Sequence, residues 1–141
     1  MKNNKMIRGL RYAKIGFERS SHSKPMGACL IKGGKIIITS NENKTAPFMK
    51  GFYPSFCGSH AEAILFGNMP PEETSGGEVY IYREKKNGNL GLARPCNFCY
   101  QILVRQNIKR VIYTTEHYPY FAVEKISDMK NLKQYDFEKF M

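Results

Sequence analysis

Two short stretches constrain this chain more than any other feature: Cys57-Gly58-Ser59-His60-Ala61-Glu62-Ala63 and Arg94-Pro95-Cys96-Asn97-Phe98-Cys99. Together they offer one imidazole and two thiols. That is the donor set of a zinc site with three protein ligands, in which the fourth position stays open to water. Whatever the fold, it must bring residue 60 to residues 96 and 99. Ser59 is a helix-capping residue and predicts a helix over about 60–68. Pro95 predicts a second helix, over about 97–106. Cys96 and Cys99 are three apart, which puts both side chains on one face at a helix start. In mid-helix His60 and Glu62 would point apart, but at a first turn aimed at the metal both reach it. A helix N-terminus and a bound metal each favour the thiolate, so both cysteines are expected to bind as thiolates.

Two other uses of these residues are open to the chain. Cys57 lies three before His60, so Cys57, His60, Cys96 and Cys99 could close a structural zinc knot with no open position. Such a knot has no use for Glu62, and its half-sites would stand in separate helices. Cys96-x-x-Cys99 alone could be a redox pair, which leaves His60 and Glu62 without a role.

At 141 residues the chain is long enough for one domain with a sizeable core. A hydrophobic content of 42%, with nine tyrosines and nine phenylalanines, excludes a solvated, disordered chain. No apolar run approaches the roughly 20 residues of a membrane span, and no apolar run follows the basic residues 1–5 as a signal peptide requires. The expectation is a cytoplasmic protein that does not engage a membrane, with reduced cysteines. The net charge is +10, and residues 1–24 carry seven basic side chains against one acidic. This basic N-terminal segment reads either as a solvated helix face or as a surface for nucleic acid or a phosphorylated small molecule.

Along the chain, Met6, Leu10, Ala13 and Phe17 make one apolar stripe of a helix over about 3–20. Strands are expected over about 27–32 and 35–39, joined at Gly33-Gly34 as a hairpin. Cys29 is expected to be a small buried hydrophobe in the first of them. Residues 40–58 have no period but carry Phe48, Phe52, Tyr53 and Phe56, as a loop folded over the site would. Further strands are expected over about 78–83 and 110–114, and an edge strand over about 120–123. Residues 85–91 read as an exposed basic loop and 131–140 as a closing helix. This order makes an α/β domain, one sheet covered by helices.

The H-x-E and P-C-x-x-C pair is the pattern of zinc-dependent nucleobase deaminases. The chain resembles a small member of the cytidine and deoxycytidylate deaminase superfamily, of the phage- and virus-type deoxycytidylate group, over about residues 26–115. Residues 41–47 resemble that group's G-x-N-x-x-K-T-H-P stretch, with Ser40 and Ala46 departing from the pattern. Residues 92–96 and 111–114 also look like that group. Phe98 and Tyr100 flank Cys99 where tRNA adenosine deaminases carry small residues, and cytidine and blasticidin types usually have cysteine in place of His60.

The resemblance implies a single three-layer α/β/α domain over 1–141 with a mixed five-stranded sheet. It implies Zn2+ on His60, Cys96 and Cys99, with Glu62 moving protons and the backbone N–H groups of Ala61 and Cys96 holding the ring carbonyl and the attacking water. Asn41, or failing it Asn43, would lie near the sugar and base. Lys44 or Arg94 would read a phosphate, although an arginine in such a loop equally often caps carbonyls. The implied reaction converts cytosine to uracil and ammonia on a free pyrimidine nucleotide or nucleoside, in a homo-oligomer. The alternatives are a nucleic-acid-directed deaminase using the basic N-terminal helix and, third, a non-catalytic zinc domain.

Overall fold

Alternation within the strands decides how the layers stack. In β1 (Gly27–Lys32), Ala28 and Leu30 join one buried cluster while Cys29 and Ile31 join another. In β3 (Glu78–Tyr82), Val79 and Ile81 go with the first and Tyr80 with the second. Period-two alternation sends neighbouring residues to opposite faces, so this is one sheet buried on both sides. The computed structural model describes residues 2–22, 24–41, 69–95 and 97–128. The helix expected over 60–68, the aromatic stretch 42–58 and the closing helix 131–140 lie outside the described residues.

Helix α1 (Lys2–Arg19) covers one face, with Ala13 fully buried and Met6 and Leu10 packed beside Tyr80 and Ile112. Phe17 meets the ring of Tyr82 edge-on, centroids 5.4 Å apart. The apolar stripe expected of α1 is the one that packs. Two glycines do what the stripe does not explain. A Cβ on Gly9 would enter the Tyr80 ring, and one on Gly16 would meet the Thr39 carbonyl. Their absence of side chain lets the helix backbone rest on the sheet.

Strands β1 and β2 (Lys35–Ser40) pair antiparallel through the expected Gly33 turn, where Gly33 has a φ of 59°. The full order is β2-β1-β3-β4-β5. β3 pairs antiparallel with β1 and parallel with β4 (Arg110–Thr114), and β4 pairs antiparallel with β5 (Phe121–Lys125). The sheet is therefore mixed and five-stranded, as expected. β5 begins one residue late because Tyr120, with a φ of 70°, still belongs to the preceding turn. A short helix α2 (Pro71–Thr74), opened by Pro71 in its first turn, leads into β3.

Between the parallel strands runs α3 (Asn97–Arg105), on the face opposite α1. Its buried residues Cys99, Ile102, Leu103 and, just beyond it, Gln106 follow a helical period. The helix stops at Asn107, whose φ is 55°. The Asn107 N–H donates to Val104 O at 3.0 Å and the Ile108 N–H to Leu103 O at 3.1 Å, a Schellman ending with Ile108 and Leu103 both in the core. No helix among the described residues is long and apolar enough to cross a membrane.

Candidate active site

The parallel β3–β4 pair fixes where a site can form. In open α/β sheets ligands lie beyond the carboxyl ends of such strands, where the crossover helix begins. Here that end gathers the last residues of β2, β3 and β4, the first of β1, and the first turn of α3.

Thr114, buried at the end of β4, holds the long segment that leads into α3. Its hydroxyl donates to Gly91 O at 2.7 Å and accepts from the Arg83 N–H at 3.2 Å, while Ala93 N–H donates to Thr114 O at 3.0 Å. Within that segment Glu84 bridges to Leu90, so the basic loop is a small hairpin. Pro95 is buried, and Cys99 follows in the first turn of α3 with its side chain fully buried.

Asn41 is buried at the end of β2. Its side-chain oxygen accepts from the Ser20 hydroxyl at 2.5 Å and the Met26 N–H at 2.9 Å, and its amide donates to Lys24 O at 2.9 Å. The residue expected beside a sugar and base thus fastens the connector between α1 and β1.

Arg94 also has a partner that its sequence neighbourhood does not suggest. Among the described residues it caps no carbonyl of its own loop; its Nε and Nη2 donate to the two carboxylate oxygens of Glu124 at 2.7 and 3.0 Å. The Tyr113 hydroxyl donates to the same carboxylate at 2.7 Å. The Arg94 hydrogen bond chiefly holds the Glu124 carboxyl below its ordinary range, and burial chiefly pushes the Tyr113 phenol up to about 12.

Neither a family model nor a curated protein matches the sequence. Solved structures do resemble the fold. A cytidine deaminase from Burkholderia pseudomallei superposes with a TM-score of 0.60 at 18% identity, over 90% of this chain and 98% of that one. The chain has the cytidine deaminase fold. A dCMP deaminase from the cyanophage S-TIM5, solved with dCMP and dUMP, gives 0.46 at 22% identity over 82% of each chain. The RibD of Acinetobacter baumannii gives 0.44 at 16% identity, over 79% of this chain and 27% of that one.

Within the cytidine deaminase fold the described candidates sort clearly. Cys99, Asn41 and Arg94 all come to the carboxyl end of the parallel strands. His60, Glu62, Cys96, Asn43, Lys44 and Ala61 lie outside the described residues. Among the described residues no three His, Cys, Asp or Glu side chains cluster as a metal site. Cys99 suits the expected zinc donor set: it is buried, in the first turn of a helix and at the ligand end of the sheet. Cys29 does not belong to that set. It is buried on the α1 face, where desolvation pushes its thiol up to about 12, the behaviour of an inert core cysteine. Glu124 and Tyr113 escape sequence reasoning, since nothing local ties residue 94 to residue 124.

Proposed function

We propose that the protein is a hydrolytic deaminase that converts the cytosine base of a free nucleotide or nucleoside to uracil, with zinc on His60, Cys96 and Cys99. One observation carries this reading. The cysteine closing the P-C-x-x-C motif is buried in the first turn of the crossover helix, at the carboxyl ends of a parallel strand pair. The H-x-E and P-C-x-x-C pattern and the cytidine deaminase fold support it from two further sides.

Zinc bound to two thiolates and an imidazole supplies a Lewis acid that brings the pKa of a water toward ~7. Glu62 accepts the proton that water gives up and delivers it to the ring nitrogen beside the amino-bearing carbon. It then protonates the departing amine. A carbon–oxygen bond forms, the carbon–nitrogen bond breaks, and water plus cytosine become uracil plus ammonia. The N–H groups of Ala61 and Cys96 orient the ring carbonyl and the attacking water. The Asn41 carboxamide is engaged in the α1–β1 connector, which favours Asn43 as the candidate for sugar and base.

Purified protein should hold about one zinc per chain and release ammonia from at least one of cytidine, deoxycytidine, CMP and dCMP. Glu62→Ala should keep its metal and its melting temperature while activity falls by roughly 10²–10⁴. Cys57→Ser should keep its zinc; loss of both metal and fold would favour the closed knot. Normal turnover by Glu62→Ala would refute the assignment of the proton carrier.

A further inference from the structure

We infer that a cleft between residues 24–25 and 83–86 is the subsite for a substrate phosphate, and that the enzyme therefore prefers a nucleotide to a nucleoside; this rests on the deaminase reading above. The cleft is lined by Lys24, Pro25, Arg83, Glu84, Lys85 and Lys86 and encloses about 150 Å³. Pockets for whole small molecules start near ~300 Å³, so this one suits a headgroup and not a complete nucleotide.

Its place in the fold is what links it to the site. Residues 83–86 follow the carboxyl end of β3, and residues 24–25 belong to the connector that Asn41 fastens through Lys24 O. The same segment that carries Arg83 continues to Pro95 and α3. The Arg83 Nη1 donates to Leu92 O at 3.2 Å and so joins the cleft wall to the approach of Cys99.

Its charge is one-sided: four cations face one carboxylate. Glu84 accepts the Tyr82 hydroxyl at 2.6 Å, and Lys85 stands 3.4 Å from Glu116. Lys24 and Lys86 are exposed and make no ion pair among the described residues. Both sit on fixed backbone. The Lys24 N–H donates to His22 Nδ1 at 2.9 Å, and a turn is closed around Lys86 by Gly88 N–H on Lys85 O at 2.9 Å. A neutral nucleoside gains nothing from such a cleft, whereas a phosphate dianion gains charge-assisted hydrogen bonds. Arg94, the arginine the sequence offers for this task, has its guanidinium on Glu124.

The test compares dCMP with deoxycytidine in the wild type and in the Lys24→Ala/Lys86→Ala double variant. Steady-state ammonia release gives the kinetics, and calorimetry gives the binding of dUMP and deoxyuridine independently of turnover. The double variant should raise KM for dCMP about tenfold or more with kcat unchanged, weaken dUMP to match, and leave deoxycytidine within about twofold. An unchanged KM for dCMP in an active double variant would overturn the cleft and leave the deaminase reading intact. No ammonia from the wild type, with dUMP binding still lost in the variant, would overturn the deaminase reading and keep the anion site. No ammonia and no preference for dUMP over deoxyuridine would overturn both.

Discussion

The two ends of the sheet handle charge in opposite ways. At the amino end of β3, the carboxylate of Glu78 is only 11% exposed, and two cations answer it: Lys5 Nζ at 3.2 Å and Arg110 Nε at 2.8 Å. The Arg110 contact is an ion pair out of line for a hydrogen bond. The same end is stitched by Thr74, whose buried hydroxyl donates to Gln106 at 2.7 Å. At the carboxyl end, four cations surround a cleft with one carboxylate, and three of them lack an acidic partner among the described residues. A charge withdrawn from water must be matched, whereas a cation left at a cleft mouth keeps its water until an anion displaces it. The first end is built for stability and the second for a ligand.

The strongest way to break this comparison is at Glu78. Glu78→Ala would leave Arg110 opposite Lys125 on β5 with no counter-charge. The expected loss is about 3 kcal/mol, the lower part of the ~3–5 range for breaking a buried pair, because Arg110 is 30% exposed and can reach some water. Urea unfolding measures it. The Lys24→Ala/Lys86→Ala variant, changed at the other end, should stay within roughly 0.5 kcal/mol of wild type. Equal losses at both ends would show that the charge imbalance has no functional meaning.

What the sequence discloses follows the range of the interactions. The hairpin at Gly33-Gly34, the stripe of α1 and the alternation in β1, β3 and β4 are local, and each stands close to where the residues predict it. The burial of Cys29 is legible for the same reason. Contacts between distant residues are not. Glu78 with Lys5, Arg94 with Glu124 and Asn41 with Lys24 depend on which strands lie side by side, and no spacing rule encodes that. Of the candidate site, the place of Cys99 at a helix start is legible, because the P-C-x-x-C spacing favours it. The substrate contacts are not, because Asn41 and Arg94 are polar residues whose partners only the fold supplies.

Asn41 sharpens the comparison at an intermediate scale. It is a buried polar group at the ligand end, yet its bonds are internal, so its role is to hold the cleft wall in place. Asn41→Ala removes the acceptor of the Met26 N–H and the donor to Lys24 O. A buried group left unsatisfied costs about 1–3 kcal/mol, which unfolding would record. Because Lys24 loses its anchor, KM for dCMP should rise while deoxycytidine is less affected. A change confined to kcat for both substrates would instead place Asn41 directly on the reacting base.

The smallest effect belongs to Arg94 and Glu124, the ion pair that ties the approach to α3 to β5. Their side chains are 36% and 25% exposed, so solvent screens them and the pair should contribute about 1 kcal/mol or less at neutral pH. The sign of its pH dependence follows from Glu124, whose carboxyl is held below the ordinary 4.5, chiefly by the Arg94 hydrogen bond. A lowered folded-state pKa means that the contribution is complete above about 4.5 and is lost as pH falls through the lower folded value. Glu124→Gln should therefore be slightly less stable than wild type at pH 7, and the difference should shrink as both are titrated below pH 4.5. Parallel curves would mean that the fork contributes nothing to folding. Arg94→Ala should lose the same small increment and leave the ratio of dCMP to deoxycytidine turnover unchanged. A tenfold fall in that ratio would move the phosphate from the lysine cleft to Arg94.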